Sequence, residues 1–415
     1  MSKFWILIIV FLTILNSCNS EHKLHSNGDN IANDVYLSQN NNSNNSKTQN
    51  YELIKANDEV YNSRQNSITK AVSVGSPAIV GINVTEVRQY IVRDPIYDDP
   101  FFNQFMRRFF GDNSNRSRRS REYEVSGLGS GFIISPDGYI LTNHHVAGNA
   151  SKIVVTMTDG SKYDAEIIGS DMVSDVALLK IKGKNLPYLK LGRSDDLIIG
   201  EWVIAFGNPF GLFDKNAKPT VTVGVVSNNN VNILHEDQPF NRVYKGMIQT
   251  DAAISSGNSG GPLVNSLGEV IGMNTIIYST SQGRQGAGSI GIGFSIPIDR
   301  VKEIMEILKA NKTIDRDFYT GIEPRQLDEQ LARMIKTDIN DGVVVFGMQR
   351  NSPAEKAGFE LGDIIIEING NKINRIEDYL IAVGDNKTGD KLIFNINRNG
   401  KSIIKNLILE SNPRR

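Results

Sequence analysis

Ser259 stands between glycines, in the run Gly257-Asn258-Ser259-Gly260-Gly261. Glycine on either side permits backbone conformations closed to other residues and leaves room for a chain beside the hydroxyl. Such a hydroxyl can attack a carbonyl if a base takes its proton, a carboxylate orients the base, and N–H donors receive the oxyanion. A tight turn here can aim the amides of Gly257 and Ser259 at one point, which supplies the donors. The pattern alone is weak, because Gly/Ser turns are common. The base is narrowed by scarcity. Of five histidines, His22 and His25 lie in a polar N-terminal stretch and His235 in a loop, leaving the pair His144-His145 after a strand pattern. A lone histidine is more often a core or surface residue than a catalyst. The carboxylate candidate, Asp175, precedes the apolar run 176–179, where an aspartate ordinarily caps a strand.

The elements that must hold these residues are short. Strand patterns rich in β-branched residues occur at 78–86, 129–134, 139–142, 152–158, 162–169, 176–181, 201–206, 220–228, 247–250, 262–265, 269–277 and 292–297. Asp159-Gly160 between two of them is a strong hairpin signal. Strands from about Ser67, with almost no helix before residue 298, indicate an all-β sandwich or a pair of barrels. Val301, Ile304, Met305 and Leu308 recur at three- and four-residue spacing, which predicts an amphipathic helix over Ile298–Ala310. A polar linker follows, and then a smaller α+β unit over 318–411.

Bulk properties exclude some classes. The 415 residues are 40% apolar and 22% charged with a net charge of −1, the profile of a globular chain without a global electrostatic case for nucleic acid. The basic run 116–121 reads as a solvated loop. No His/Cys/Glu spacing suggests a metal, and no cofactor is expected. At the N-terminus, Lys3 and the apolar run Phe4 to Leu15 lead into Leu15-Asn16-Ser17-Cys18. This resembles the lipobox of bacterial lipoprotein signals, with lipidation at Cys18, the single cysteine of the chain. Residues 1–17 are then a signal peptide. Residues 18–65, rich in Asn, Ser, Gln and Lys, read as a disordered tether.

Taken together, the segments become specific. The chain order His, Asp, Ser is that of chymotrypsin. GSGFIISPDGYILTNHHV (129–146), SDVALLK (174–180), AFGNPFGL (205–212), IQTDAAISSGNSGGPLVNSLGEVIG (248–272) and GIGFSIP (291–297) resemble the HtrA/Deg family of bacterial serine proteases. The resemblance implies a mostly β fold, a chymotrypsin-like double β-barrel over 66–310. By position it implies His145, Asp175 and Ser259 as the catalytic triad of a serine endopeptidase, with Gly257 and Ser259 as the oxyanion hole. One departure is His144, where the family usually has asparagine. Ala253 occupies the position that carries an acid in enzymes cutting after Lys or Arg, so an apolar pocket is implied, built by 252–256 and 276–292.

Residues 318–411 resemble a PDZ domain of the circularly permuted type, marked by Tyr319-Thr320-Gly321-Ile322, SPAEKAG (352–358) and GDIIIEING (362–370). The resemblance implies capture of a peptide C-terminus by strand addition at Tyr319, Thr320, Gly321 and Ile322, with 376–383 as the opposite wall. The insertion 93–124, with Phe101, Phe102, Phe105, Phe109 and Phe110, matches the loop by which family members form trimers and larger cages. The implied protein is a lipid-anchored envelope protease on the periplasmic face, degrading unfolded polypeptides under stress as part of protein quality control. A holdase-type chaperone with latent proteolysis and a signalling protease for one membrane substrate are the alternative expectations.

Overall fold

The computed structural model describes residues 60–88, 123–208, 218–235, 242–255, 257–275 and 291–413, together with Lys55 and Asp58. The expectations for Cys18, for the signal and the polar stretch as far as residue 54, and for insertion residues 93–122 lie outside the described residues.

Six antiparallel strands close a first barrel in the order β1-β2-β3-β6-β5-β4. They are β1 (Ile79–Arg88), β2 (Tyr123–Ile133), β3 (Tyr139–Thr142), β4 (Lys152–Met157), β5 (Lys162–Asp171) and β6 (Val176–Ile181). A second barrel closes in the order β10-β11-β12-β9-β8-β7. Its strands are β7 (Trp202–Gly207), β8 (Thr220–His235), β9 (Arg242–Thr250), β10 (Pro262–Asn265), β11 (Val270–Asn274) and β12 (Gly293–Pro297). This is the chymotrypsin-like double barrel.

Strands that pack on both faces carry apolar residues on both. In β6, Leu179 and Ile181 join the core inside the first barrel, whereas Val176 and Leu178 join a second core shared with β7 through Ile204 and Phe206. On β7, Val203 and Ala205 point instead into the second barrel. The shared core therefore lies between the barrels, and the start of β6 is anchored at their junction. Burial of apolar side chains at about 25 cal/mol per Å² holds that junction.

The β region differs from the sequence reading in the starts of β2 (Tyr123, not 129) and β9 (Arg242, not 247) and in two further features. Helix α1 (Ser67–Gly75) stands where strands were expected to begin, started by a reciprocal cap in which Asn66 Oδ1 accepts from Thr69 N–H and Thr69 Oγ1 accepts from Asn66 N–H. Strand β8 continues to residue 235, past the expected end at 228. Register shifts between Val226 and Ile233, with Asn230 at φ +60°, absorb the irregular Asn-rich stretch without breaking the pairing to β9.

The expected amphipathic helix is present. After a helical turn α2 (His144–Ala147), helix α3 (Ile298–Asn311) buries Ile298, Val301, Ile304, Met305 and Leu308 against strands of both barrels. Lys312 then turns to φ +65° and the chain enters the C-terminal part. There β13 (Phe318–Tyr319) pairs with β20 (Glu410–Ser411). The main sheet runs β14 (Ile322–Gln326), β15 (Val343–Met348), β16 (Ile364–Ile368), β18 (Lys391–Arg398) and β19 (Lys401–Ile408). A short β17 (Asn371–Lys372) pairs with β16, and α4 (Glu329–Ile335), α5 (Pro353–Lys356) and α6 (Ile376–Gly384) complete the unit.

Residues 63–415 form one compact unit. Helix α6 rests on β8 and β9 of the second barrel. Arg300 of α3 donates to both carboxylate oxygens of Asp385 at 2.5 and 2.6 Å, and to the carbonyl of Val243. Arg316, between α3 and β13, bonds Asp171 at the end of β5 and the carbonyl of Asn386 after α6.

Candidate active site

A cluster of polar contacts at the barrel junction surrounds Asp175, which is fully buried. The residue sits immediately before β6 at φ +59°, a left-handed conformation that few residues other than glycine, asparagine and aspartate adopt. The turn before it is tied down by Asp171, whose carboxylate accepts from Ser174 N–H and Oγ. The unusual backbone lets one residue serve two purposes. Its carbonyl accepts from His144 N–H and from Asn143 Nδ2, while its side chain faces the next residue along, His145.

His145 Nδ1 lies 2.8 Å from Asp175 Oδ2 and 3.0 Å from Oδ1, and the His145 backbone N–H donates to Oδ1 at 3.0 Å. Two further donors complete the carboxylate: Thr275 Oγ1 at 3.0 Å and the Tyr244 hydroxyl at 3.2 Å, both to Oδ2. Burial pushes the carboxyl up, but the His145 imidazole and N–H and the Arg242 charge outweigh it, holding Asp175 well below the usual carboxylate range. Burial also raises the Tyr244 phenol, with the Asp175 charge adding to it, so the phenol stays a donor.

The choice between the paired histidines is made by these contacts. His144 points away, into a buried site where neither ring nitrogen has a hydrogen-bond partner among the described residues. Gly148 is needed beside it, since a Cβ there would overlap the ring. Burial pulls the His144 pKa down to about 4 against the attraction of Asp175, so the ring is neutral at ordinary pH.

Ser259 is half-buried on the turn before β10. Gly257 and Gly260 have φ of +95° and +83°, so both glycines supply conformations the turn requires. Gly260 lies against Ser130 O, Thr142 Oγ1 and Asn143 N, which puts the Ser259 turn beside the segment leading to His145. The carbonyl of Ser259 accepts from Ser130 N–H at 3.0 Å, and among the described residues no acceptor takes the N–H of Gly257 or Ser259. Those amides are the pair expected to serve as the oxyanion hole. Among the described residues no hydrogen bond joins Ser259 Oγ to the imidazole; such bonds are often long until substrate arrives. The geometry thus pairs His145 with Asp175 directly and ties the Ser259 turn to the same junction through backbone contacts.

In the C-terminal unit, Tyr319 ends β13, and Thr320 and Gly321 lead into β14 at Ile322. Gly321 has φ +78°, and a Cβ on it would overlap Ser352. Gly321 O accepts from Gln349 N–H, and Ile322 N–H donates to Thr320 Oγ1 at 3.2 Å. Strand β14 is at the edge of its sheet, with α6 alongside. Among the described residues no group of three or more His, Cys, Asp or Glu side chains could hold a metal ion. Residues 256 and 276–290 of the expected pocket lie outside the described residues.

Ser130, Tyr244, Thr275 and the left-handed Asp175 backbone were not singled out from the sequence. Ser130 falls inside one of the family motifs and Thr275 just beyond another, but nothing local indicates a partner a hundred or more residues away.

Two closed barrels with a buried carboxylate–imidazole pair at their junction and a glycine-framed serine beside it define a trypsin-like peptidase domain, here followed by a PDZ domain. Sequence profiles agree: the family described as trypsin-like peptidase domain matches residues 129–273, and the PDZ domain family matches 319–408. A Chlamydia trachomatis protein described as "Probable periplasmic serine endoprotease DegP-like" is 42% identical over 305 residues, 74% of this chain and 58% of its own length. A Pseudomonas putida protein of the same description is 39% identical over 339 residues, covering 80% of this chain and 68% of that one. Among solved structures, the HtrA-type protease AlgW with decapeptide superposes with a TM-score of 0.62 at 36% identity, over 85% of this chain and 100% of that chain. The chain belongs to the HtrA family of DegP-like serine endoproteases. It spans 58% of the length of the Chlamydia trachomatis and Chlamydia muridarum relatives it matches.

Proposed function

We propose that this chain is a periplasmic serine endopeptidase that cleaves unfolded polypeptides, with His145, Asp175 and Ser259 as its triad. The observation that carries the reading is the Asp175 carboxylate, held by four donors and presented to His145 Nδ1 at 2.8 Å. In that arrangement His145 Nε2 takes the proton from Ser259 Oγ as the oxygen attacks the scissile carbonyl. The negative charge that develops on the carbonyl oxygen is received by the amides of Gly257 and Ser259. His145 then returns the proton to the leaving amine, and the acyl-enzyme is hydrolysed by a water activated at the same nitrogen. Asp175 keeps its negative charge throughout and stabilises the imidazolium.

The PDZ groove between β14 and α6 is assigned to peptide C-termini, with Tyr319, Thr320, Gly321 and Ile322 around the carboxylate. This is supported by the free strand edge and by the related AlgW protease, whose structure was solved with a decapeptide. Because α6 also rests on β8 and β9, a peptide in the groove can act on the protease domain through its own wall. Ala253 supports preference for small or branched apolar residues at the cleaved position. A division of the folded chain at the 311–317 linker, acylation of Cys18 and assembly as a trimer or larger cage complete the proposal. Replacing Cys18 with Ser is then expected to move the protein from the membrane fraction to the soluble periplasm.

The deciding assay is degradation of fluorescein-labelled casein by wild type and Ser259→Ala, each with and without hydrophobic C-terminal peptides. Wild type cleaves, peptides change the rate, and Ser259→Ala is inert although it still binds casein. Equal cleavage by both proteins overturns the triad assignment. Binding without cleavage by both leaves a holdase.

A further inference from the structure

Ser130 of β2 is buried, comes from the other barrel, and grips the nucleophile turn on both sides of Ser259. Its N–H donates to the Ser259 carbonyl at 3.0 Å. Its hydroxyl donates to the Gly257 carbonyl at 2.5 Å and accepts from Asn208 N–H at 2.7 Å. Its own carbonyl accepts from Thr142 Oγ1 at 2.7 Å, which links it to the strand that ends just before His144-His145.

The hydroxyl contact is the informative one. Gly257 has φ +95°, and a glycine in that region has little intrinsic preference for one orientation of its peptide planes. The plane between Gly257 and Asn258 is held at both ends: its carbonyl by Ser130 Oγ, its N–H by the Ser255 carbonyl at 2.9 Å. With that plane fixed, the Gly257 Cα is fixed, which anchors one end of the peptide unit that carries the Gly257 N–H. The Ser130 backbone bond does the same for the plane after Ser259. A strand-borne serine thus anchors the Cα atom beside each donor of the expected oxyanion site.

We infer that Ser130 is a positioning residue for the oxyanion hole, acting through its hydroxyl on the Gly257 carbonyl. The inference rests on the protease reading above. Its distinctive consequence is a loss confined to steps in which the oxyanion forms, because substrate docking in the ground state does not need those amides. Removing an oxyanion donor outright costs about 10²–10³-fold in kcat, so loosening one is expected to cost about 10- to 100-fold.

The experiment compares wild type, Ser130→Ala, Ser130→Cys and Ser259→Ala in two measurements. Casein cleavage across a concentration series separates kcat from KM, and labelling of Ser259 by a fluorophosphonate probe reports oxyanion formation without casein. Ser130→Ala is expected to lower kcat and the labelling rate by the same factor, with KM within about twofold of wild type. Ser130→Cys fills nearly the same space with a weak donor, and is expected to be impaired similarly with less effect on melting temperature. The Cys variant carries the test alone if the Ala variant does not fold. A folded Ser130 variant with wild-type labelling rate, or with its whole defect in KM, overturns the inference while leaving the triad intact. An inactive wild type would instead overturn the protease reading, so the two failures are distinguishable.

Discussion

At the scale of single residues, the unusual position is His144. A neutral imidazole whose nitrogens have no hydrogen-bond partner among the described residues is buried one residue before His145, and its pKa falls from the ordinary 6.5 to about 4 because burial disfavours the cation. In the unfolded chain His144 takes up a proton below about pH 6.5; in the folded chain it does so only near pH 4. Folding therefore has its full advantage above pH 6.5 and loses it as the pH falls through this window. The shift corresponds to a loss on the order of 3 kcal/mol. Replacing His144 with Asn is expected to flatten the fall of melting temperature between about pH 7 and pH 4.5, measured by circular dichroism. Identical slopes for the two proteins would show that this ring does not drive the acid sensitivity.

Elements here position the site through turns whose backbone is constrained from outside. The Ser259 turn needs φ +83° at Gly260 and tolerates no side chain, because a Cβ would overlap Ser130 O and Thr142 Oγ1 across the barrel junction. Gly260→Ala must therefore push the turn away from β2 and β3. The expected result is casein cleavage at least about 100-fold below wild type, with the labelling of Ser259 lost in parallel. Near-normal labelling would mean that the turn is not set by contact with the first barrel. The Asp175 turn obeys a similar rule with a different agent. Asp171 holds Ser174 while Arg316 holds Asp171, so the strand start that carries the acid is braced by the segment leading to the PDZ domain. Burial pushes the Asp171 carboxyl up, yet Arg316 and Ser174 together bring it below its ordinary value.

On the scale of the whole molecule, the half-buried Arg300–Asp385 pair fastens the end of α6 to the protease domain. Arg300 also donates to Val243 O, whose own N–H bonds Val173 O in the turn before Asp175. A peptide that shifts α6 would strain this contact first. Asp385→Asn keeps the shape but removes the charge, and hydrogen bonds to charged groups contribute about 1.5–3 kcal/mol. Its expected effect is to uncouple the domains: the ratio of peptide-stimulated to basal casein cleavage falls toward one, while fluorophosphonate labelling of Ser259 persists. An unchanged ratio would place the communication elsewhere than this pair.

Strand positions, the amphipathic helix after them and the HtrA-type motifs were legible in the chain because they are local. Alternating and β-branched runs report burial face by face, and the 3.6-residue spacing of Val301, Ile304, Met305 and Leu308 reports one buried stripe. The helix at Ser67–Gly75 was signalled by the Asn66–Thr69 cap but hidden in a polar context, and β8 was cut short because Asn228–Asn230 looks like a turn. What the chain alone left open was contact between distant residues. His145 and not His144 meets the carboxylate only because Asp175 adopts φ +59° and turns its two ends toward neighbouring residues. Tyr244, Thr275 and Ser130 reach the site across closed barrels, where partners 69 to 127 positions apart are brought together by packing. Local propensity decides what each segment is, whereas barrel closure decides which atoms of separate segments come within bonding distance.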